Sequence, residues 1–282
     1  MESRVNKIIY LLIWSFVFQA CDKFELRGFI LSYESPDRRF EQSMKWNSEN
    51  PYKEINVTSD DYTICVMADS HTGTTKNLDL FMEQAIQMNA LAAVMAGDIT
   101  NGHREDYVTF KGHLPDQNDL LTFQIAGNHD LYFDGWKQFY SLFGSSTYIF
   151  KVKTPVASDL FICTDTGSGT LGSDQLDWLK DVLENMRQNY RYCIIFTHNN
   201  LFRIRHTVST NPFVEELRVL LELFLEHQVD MVIAGHDHEK NVVLFGNTTH
   251  ITLDALKDDY KNAGYLNVFI KQGKIDYEFI NF

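Results

Sequence analysis

Five apolar runs in this sequence each end in residues able to hold a metal ion. YTICVMA ends in Asp69-Ser70-His71, ALAAVMA in Gly97-Asp98, LLTFQIA in Gly127-Asn128-His129-Asp130, RYCIIF in Thr197-His198, and VDMVIA in Gly235-His236-Asp237-His238. Carboxylate, imidazole and amide oxygen without thiolate suit divalent Mn, Fe, Zn or Ni, and the donor types alone do not choose among them. The chain has ten histidines, and five of them (His71, His129, His198, His236 and His238) occupy these run ends. One such histidine is ordinarily a solvated or locally bonded residue. Ligand types at five successive run ends are not explained that way, and they point to a single shared site.

The elements that must position them are legible from periodicity. Apolar runs of strand length alternate with stretches whose apolar residues recur at helical spacing, over 78–90, 173–188 and 211–228. Ser173 and Asn211 are suited to N-capping, and Pro212 to the first helical position. In open α/β sheets ligands bind beyond the carboxyl ends of the strands, so this alternation brings the five ends to one edge. Gly97, Gly127 and Gly235 permit sharp exits and close backbone approach. Before Tyr62, SPDRRFEQSMKWN predicts a short helix capped near Ser35. After the last motif, NVVLFG, HITLDA, GYLNVFIKQ and KIDYEFINF predict short strands in an antiparallel closing section. A single α/β domain over 61–282 is expected.

Composition narrows the function classes. The 282 residues carry a net charge of −13, 25 basic against 38 acidic, with no basic stripe. Non-specific nucleic-acid binding is therefore not expected, whereas divalent cations would offset part of the excess. Residues 1–20 read as a lipoprotein signal peptide: basic MESRVNK, the apolar stretch IIYLLIWSFVF, then Gln-Ala before Cys21. That apolar stretch is well short of the ~20 residues a spanning helix needs. Cys21 is expected to become the lipidated first residue, with 21–60 as lipid-anchored tether and lead-in segment. The protein would then be exported and anchored in a bacterial cell-envelope membrane, periplasmic or at the cell surface. Cys65, Cys163 and Cys193 lie inside apolar runs and read as structural thiols, not a disulfide framework.

The ordered set D-x-H, G-D, G-N-H-D, a lone His and G-H-x-H, at steps of 29, 30, 70 and 38 residues, resembles the calcineurin-like metallophosphoesterase superfamily from residue 62 to about 254. The resemblance implies a four-layer α/β sandwich, two mixed β-sheets face to face with helices outside. It implies two divalent metal ions, one held by Asp69, His71 and His238, the other by Asn128, His198 and His236. Asp98 would bridge them with its two oxygens, a bridging hydroxide would be the nucleophile, and His129 would face the leaving group as a proton donor or as stabiliser of the developing alkoxide. Asp130 would orient that imidazole or serve the turn. Asp237 is expected to be a carboxylate behind the ligands and not one of them.

The implied activity is metal-dependent hydrolysis of a phosphate ester. A phosphodiester, a nucleotide-type one among the candidates, is expected, and the preference for a diester rests on Asp, not Glu, at 130. A phosphomonoesterase and a non-catalytic metal-binding lipoprotein scaffold are the alternatives. Substrate contacts are expected from Arg203, Arg205 and His206 in NNLFRIRHT, where guanidinium groups suit phosphate oxygens. His103 and Arg104, in the stretch 100–113 after Asp98, form a second candidate loop.

Overall fold

A computed structural model describes residues 34–51, 53–203 and 214–282. The signal-peptide and lipid-anchor readings at 1–21, the Asn211–Pro212 cap, and Arg205 and His206 lie outside the described residues. Among the described residues no helix is long and apolar enough to cross a membrane.

In chain order the elements are α1 (Pro36–Glu49), β1 (Lys53–Asn56), β2 (Tyr62–Met67), α2 (Lys76–Gln87), β3 (Ala92–Ala96), α3 (Arg104–Gly112) and β4 (Leu121–Ile125). A short 3-10 turn (His129–Asp134) leads into α4 (Trp136–Phe143), β5 (Tyr148–Lys153), β6 (Ser158–Cys163), α5 (Ser173–Met186) and β7 (Cys193–Phe196). Then come α6 (Val214–Glu226), β8 (Met231–Ala234), β9 (Asn241–Phe245), β10 (Thr248–Thr252), β11 (Gly264–Lys271) and β12 (Lys274–Asn281). The strands form two mixed sheets, a seven-stranded one ordered β1-β5-β6-β7-β8-β10-β9 and a five-stranded one ordered β12-β11-β2-β3-β4.

Period-2 alternation builds the four layers. Ile64, Val66 and Ala68 face Phe161, Cys163, Ile194 and Phe196 across the space between the sheets. Their neighbours Cys65 and Met67 face the other way, onto Phe81 and Met82 of α2. On the second sheet Leu160, Ile162 and Ile195 meet Leu179 and Leu183 of α5 and Phe224 of α6. Aromatic rings fill the middle: Phe123 stacks on Phe150 at 4.0 Å, and Phe150 on Phe161 at 4.7 Å. Truncating one of these rings to alanine would cost ~3–5 kcal/mol, because the close-packed surroundings relax only in part.

The structure refines several expectations. Of the segment expected as tether and lead-in, residues 34–60 include a docked helix and an edge strand. Arg39 of α1 is fully buried, its Nε 2.8 Å and Nη2 3.1 Å from the two carboxylate oxygens of Asp165, and β1 pairs in parallel with β5. Ser35 caps α1 as expected, its side chain accepting from the Arg38 N–H. For α5 the N-cap is Gly172 at φ 77°, not Ser173, and the Asp174 N–H is satisfied by Asp37 Oδ1 of α1 at 3.0 Å. A carboxylate from another helix thus does what the local serine was expected to do. The closing strands are not all antiparallel: β10 runs parallel to β8, and β11 leaves to pair antiparallel with β2 in the other sheet.

Candidate metal centre

Parallel pairing of β2, β3 and β4 in one sheet, and of β7 and β8 in the other, sends all five motif-bearing ends the same way. The exits are sharp. Asp69 (φ 55°), His71 (φ 42°), Asp98 (φ 50°), His236 (φ 73°) and His238 (φ 59°) are all left-handed, a conformation that costs a side-chain-bearing residue ~1–3 kcal/mol. A network of main-chain bonds holds them there. Asp69 N–H donates to Gly97 O, His71 N–H to Asp98 O and Gly235 N–H to His198 O, each at 3.0 Å. Two glycines are required by close approach: a Cβ at Gly127 would collide with the Asp98 carboxylate, and one at Gly235 with Asp69 Oδ2 and Ala68 Cβ.

Asp98 is at the centre. Its Oδ1 accepts the His129 N–H at 2.7 Å, so that oxygen is engaged by backbone. Oδ2 is 3.3 Å from His198 Nε2, 3.9 Å from His71 Nε2 and 4.0 Å from His129 Nε2. Oδ2 thus lies within 4 Å of histidine nitrogens from both groups, while Oδ1 accepts a backbone N–H. His198 Nδ1 is 3.0 Å from the Ala96 carbonyl, to which it donates, and Nε2 is left toward Asn128 Oδ1 at 3.0 Å and His236 Nδ1 at 3.2 Å. Asn128 is turned to present that oxygen because its Nδ2 reaches Tyr132 Oη at 3.3 Å. On the other side His71 Nε2 and His238 Nε2 approach to 3.2 Å, and His238 Nε2 is 3.3 Å from Asp69 Oδ1.

Two ligand groups result, Asp69, His71, Asp98 and His238 in one, Asp98, His198 and His236 in the other, each with donor atoms within 4.8 Å of one another. They fit cations on two counts. Asp69 Oδ1 is buried and, among the described residues, has His238 Nε2 at 3.3 Å as its near polar neighbour, while Oδ2 accepts the His236 N–H at 2.8 Å. The ring nitrogens of His71 and His238, and of His198 and His236, lie 3.2 Å apart beside the carboxylates of Asp69 and Asp98, so imidazole donors from separate strand ends converge on common positions.

Electrostatics supports the same reading. Burial pushes the Asp98 carboxyl up, but the imidazoles of His198 and His129 outweigh it and hold the group well below the usual range. Asp69 is likewise lowered, burial being outweighed by His238. Burial drives His71 down to about 3, so it stays neutral. Burial disfavours the His198 cation, yet the Asp98 carboxylate beside it raises its pKa to about 9. His129 is the accessible member: its side chain is 26% exposed against 1% for Asp98.

Four residues behind the ligands had no signal of their own in the sequence or only a weak one. Thr166 Oγ1 accepts the His198 and Asn199 N–H groups at 3.1 and 2.8 Å, next to the Asp165 that anchors α1. Asn101 Nδ2 donates to His71 O at 3.2 Å. Tyr132, four residues after Asn128, is the one a helical-spacing argument could have found. Asp130 has the clearest role. Its carboxylate accepts from the N–H groups of Ile99, Thr100 and Gly127, which ties two motif loops together as expected of a turn residue.

Asp237 is held by Arg203 Nε at 2.8 Å and Asn200 Nδ2 at 3.1 Å, behind the ligands as expected. The stretch 100–113 is mostly helix α3, with His103 stacked on the exposed, left-handed Phe133 at 4.2 Å. Cys65, Cys163 and Cys193 are free and buried, and burial raises all three thiols.

Residues 62–240 match the profile of a family described as calcineurin-like phosphoesterase. Among solved structures the chain is similar to a dimetal phosphatase from Danio rerio, with TM-score 0.62 and 16% identity over 78% of this chain and 98% of that one. It is also similar to GAP50, the anchor in the inner membrane complex of Plasmodium, with TM-score 0.60 and 13% identity over 78% and 84%. At such identities the likeness establishes the fold alone. A comparison with curated proteins found no match.

Proposed function

The chain belongs to the calcineurin-like phosphoesterase family, a hydrolase acting on phosphate esters, and from that premise we propose that it is a dimetal phosphodiesterase. The observation that carries the dimetal reading is Asp98 Oδ2, one buried oxygen within 4 Å of histidine nitrogens from both ligand groups. Bound there, two divalent ions supply Lewis acidity and a nucleophile derived from water at neutral pH.

The chain's own residues do the remaining work. Asp69, His71 and His238 would hold one ion, Asn128, His198 and His236 the other, and Asp98 would join them. The His129 N–H donates to Asp98 Oδ1, and its half-buried ring would give a proton to the departing alkoxide. Asn128 in place of a third carboxylate keeps the centre net positive toward a phosphate anion. Arg205 and His206, which follow His198 in the sequence, are proposed to contact the substrate phosphate.

Preference for a diester rests on Asp130. The test is hydrolysis of an aryl phosphodiester against the matching monoester by metal-stripped protein reloaded with Mn, Fe, Zn or Ni. Faster diester turnover is expected, and faster monoester turnover would reassign the substrate class. Export and lipidation at Cys21 are part of this proposal, supported by the basic start, the short apolar stretch and the Phe-Gln-Ala-Cys junction. Membrane retention unchanged in Cys21→Ala would refute the lipid anchor.

A further inference from the structure

Asp237 stands between two candidate ligands, His236 and His238, and its side chain is fully buried. The turn carrying it is expensive, because both flanking histidines are left-handed. One of its restraints is a charged pair from a different strand end. Arg203 Nε is 2.8 Å from Asp237 Oδ1, and Asn200 Nδ2 is 3.1 Å from Oδ2. The same Asn200 amide reaches Thr252 Oγ1 of β10 at 3.2 Å. Asn200 and Arg203 follow His198 directly, and the Gly235 N–H already donates to His198 O. The segments bearing His198, His236 and His238 are therefore locked side by side, with the Arg203–Asp237 pair as the charged part of the lock.

Arg203 is itself only 9% exposed. Its guanidinium supplies the charge opposite a fully buried carboxylate beside the metal ligands, and removing the cation from such a pair is costly.

Building on the dimetal reading, we propose that Arg203 is a positioning residue for the metal centre: through Asp237 it fixes the turn that aims His236 and His238. This goes beyond the expectation that Arg203 binds substrate phosphate, and the two roles separate experimentally. Partners behind metal ligands typically contribute 10- to 100-fold in affinity.

The experiment titrates metal-stripped full-length protein with Zn or Mn by calorimetry and counts bound metal, for wild type, Arg203→Met, Arg203→Lys, Asp237→Asn and the double variant Arg203→Met/Asp237→Asn. Arg203→Met is expected to weaken metal binding by about 10- to 100-fold, with KM for an aryl phosphodiester unchanged at saturating metal. The double variant buries no unpaired charge, so it should fold even where the single variant does not. It is expected to bind metal less tightly than wild type, and to lose less than the two single changes add up to. Wild-type metal affinity in Arg203→Met or in the double variant would overturn the positioning role, as would a raised KM with metal binding intact. A wild-type chain that takes up no metal would overturn the dimetal reading along with it.

Discussion

The His236 N–H donates to Asp69 Oδ2 at 2.8 Å, so the first and last motifs, 167 residues apart, close on each other through a ligand's own carboxylate. One oxygen of Asp69 serves the architecture, and the other is buried facing His238 Nε2 at 3.3 Å, within the ligand group. Structure and site are here the same set of bonds.

Gly235→Ala should break that closure. The added Cβ would fall against Asp69 Oδ2 and Ala68 Cβ, and overpacking of this kind costs ~1–3 kcal/mol. A folded variant with lowered bound metal by elemental analysis is the expected result; unchanged metal content would show that the turn has slack.

His129→Ala should leave both metals in place and lower kcat by about 10²–10⁴-fold. The loss should shrink for esters whose leaving group needs no proton. Equal losses on good and poor leaving groups would remove His129 from proton donation.

Arg39 and Asp165 form a bidentate, buried pair linking α1 to the segment beneath His198. Arg39→Met leaves Asp165 buried without its partner and should cost ~3–5 kcal/mol in denaturant unfolding. A change below about 1 kcal/mol would mean that α1 is peripheral.

Alongside buried His71, His250 contributes one part of the pH dependence. It packs between Phe202 and Phe224, both its ring nitrogens lack hydrogen-bond partners among the described residues, and burial lowers its pKa to about 4 from 6.5. The unfolded chain takes up this proton below about pH 6.5, whereas the folded chain resists until about pH 4. The stability this group contributes is complete above that window and is lost as pH falls through it. His250→Leu should flatten the wild-type decline between those values in denaturant titrations at several pH; an unaltered slope would assign the decline to other groups.

The candidate site was largely legible because metal ligation demands particular residue types, and strand ends place them after recognisable apolar runs. Gly127 and Gly235 could be read for the same reason, since a turn that brings backbone against a carboxylate excludes a Cβ. What escaped lies in contacts between distant segments. Asp165 carries no mark of Arg39, 126 residues away, and Ser173 looked like a sufficient cap until α1 brought Asp37 to the helix end. Helix α3 was hidden in a stretch that read as a polar loop. Its burial depends on Tyr107, whose hydroxyl donates to the Asp130 carbonyl at 2.6 Å.

The central claim is that Asp98 joins two metals, and counting metal tests it most directly. Reloaded wild-type protein is predicted to bind two divalent ions per chain, and Asp98→Ala to retain fewer than one and no hydrolytic activity, while far-ultraviolet circular dichroism still reports a folded chain. Two ions retained in Asp98→Ala, or phosphoester hydrolysis by wild type fully stripped of metal, would contradict it.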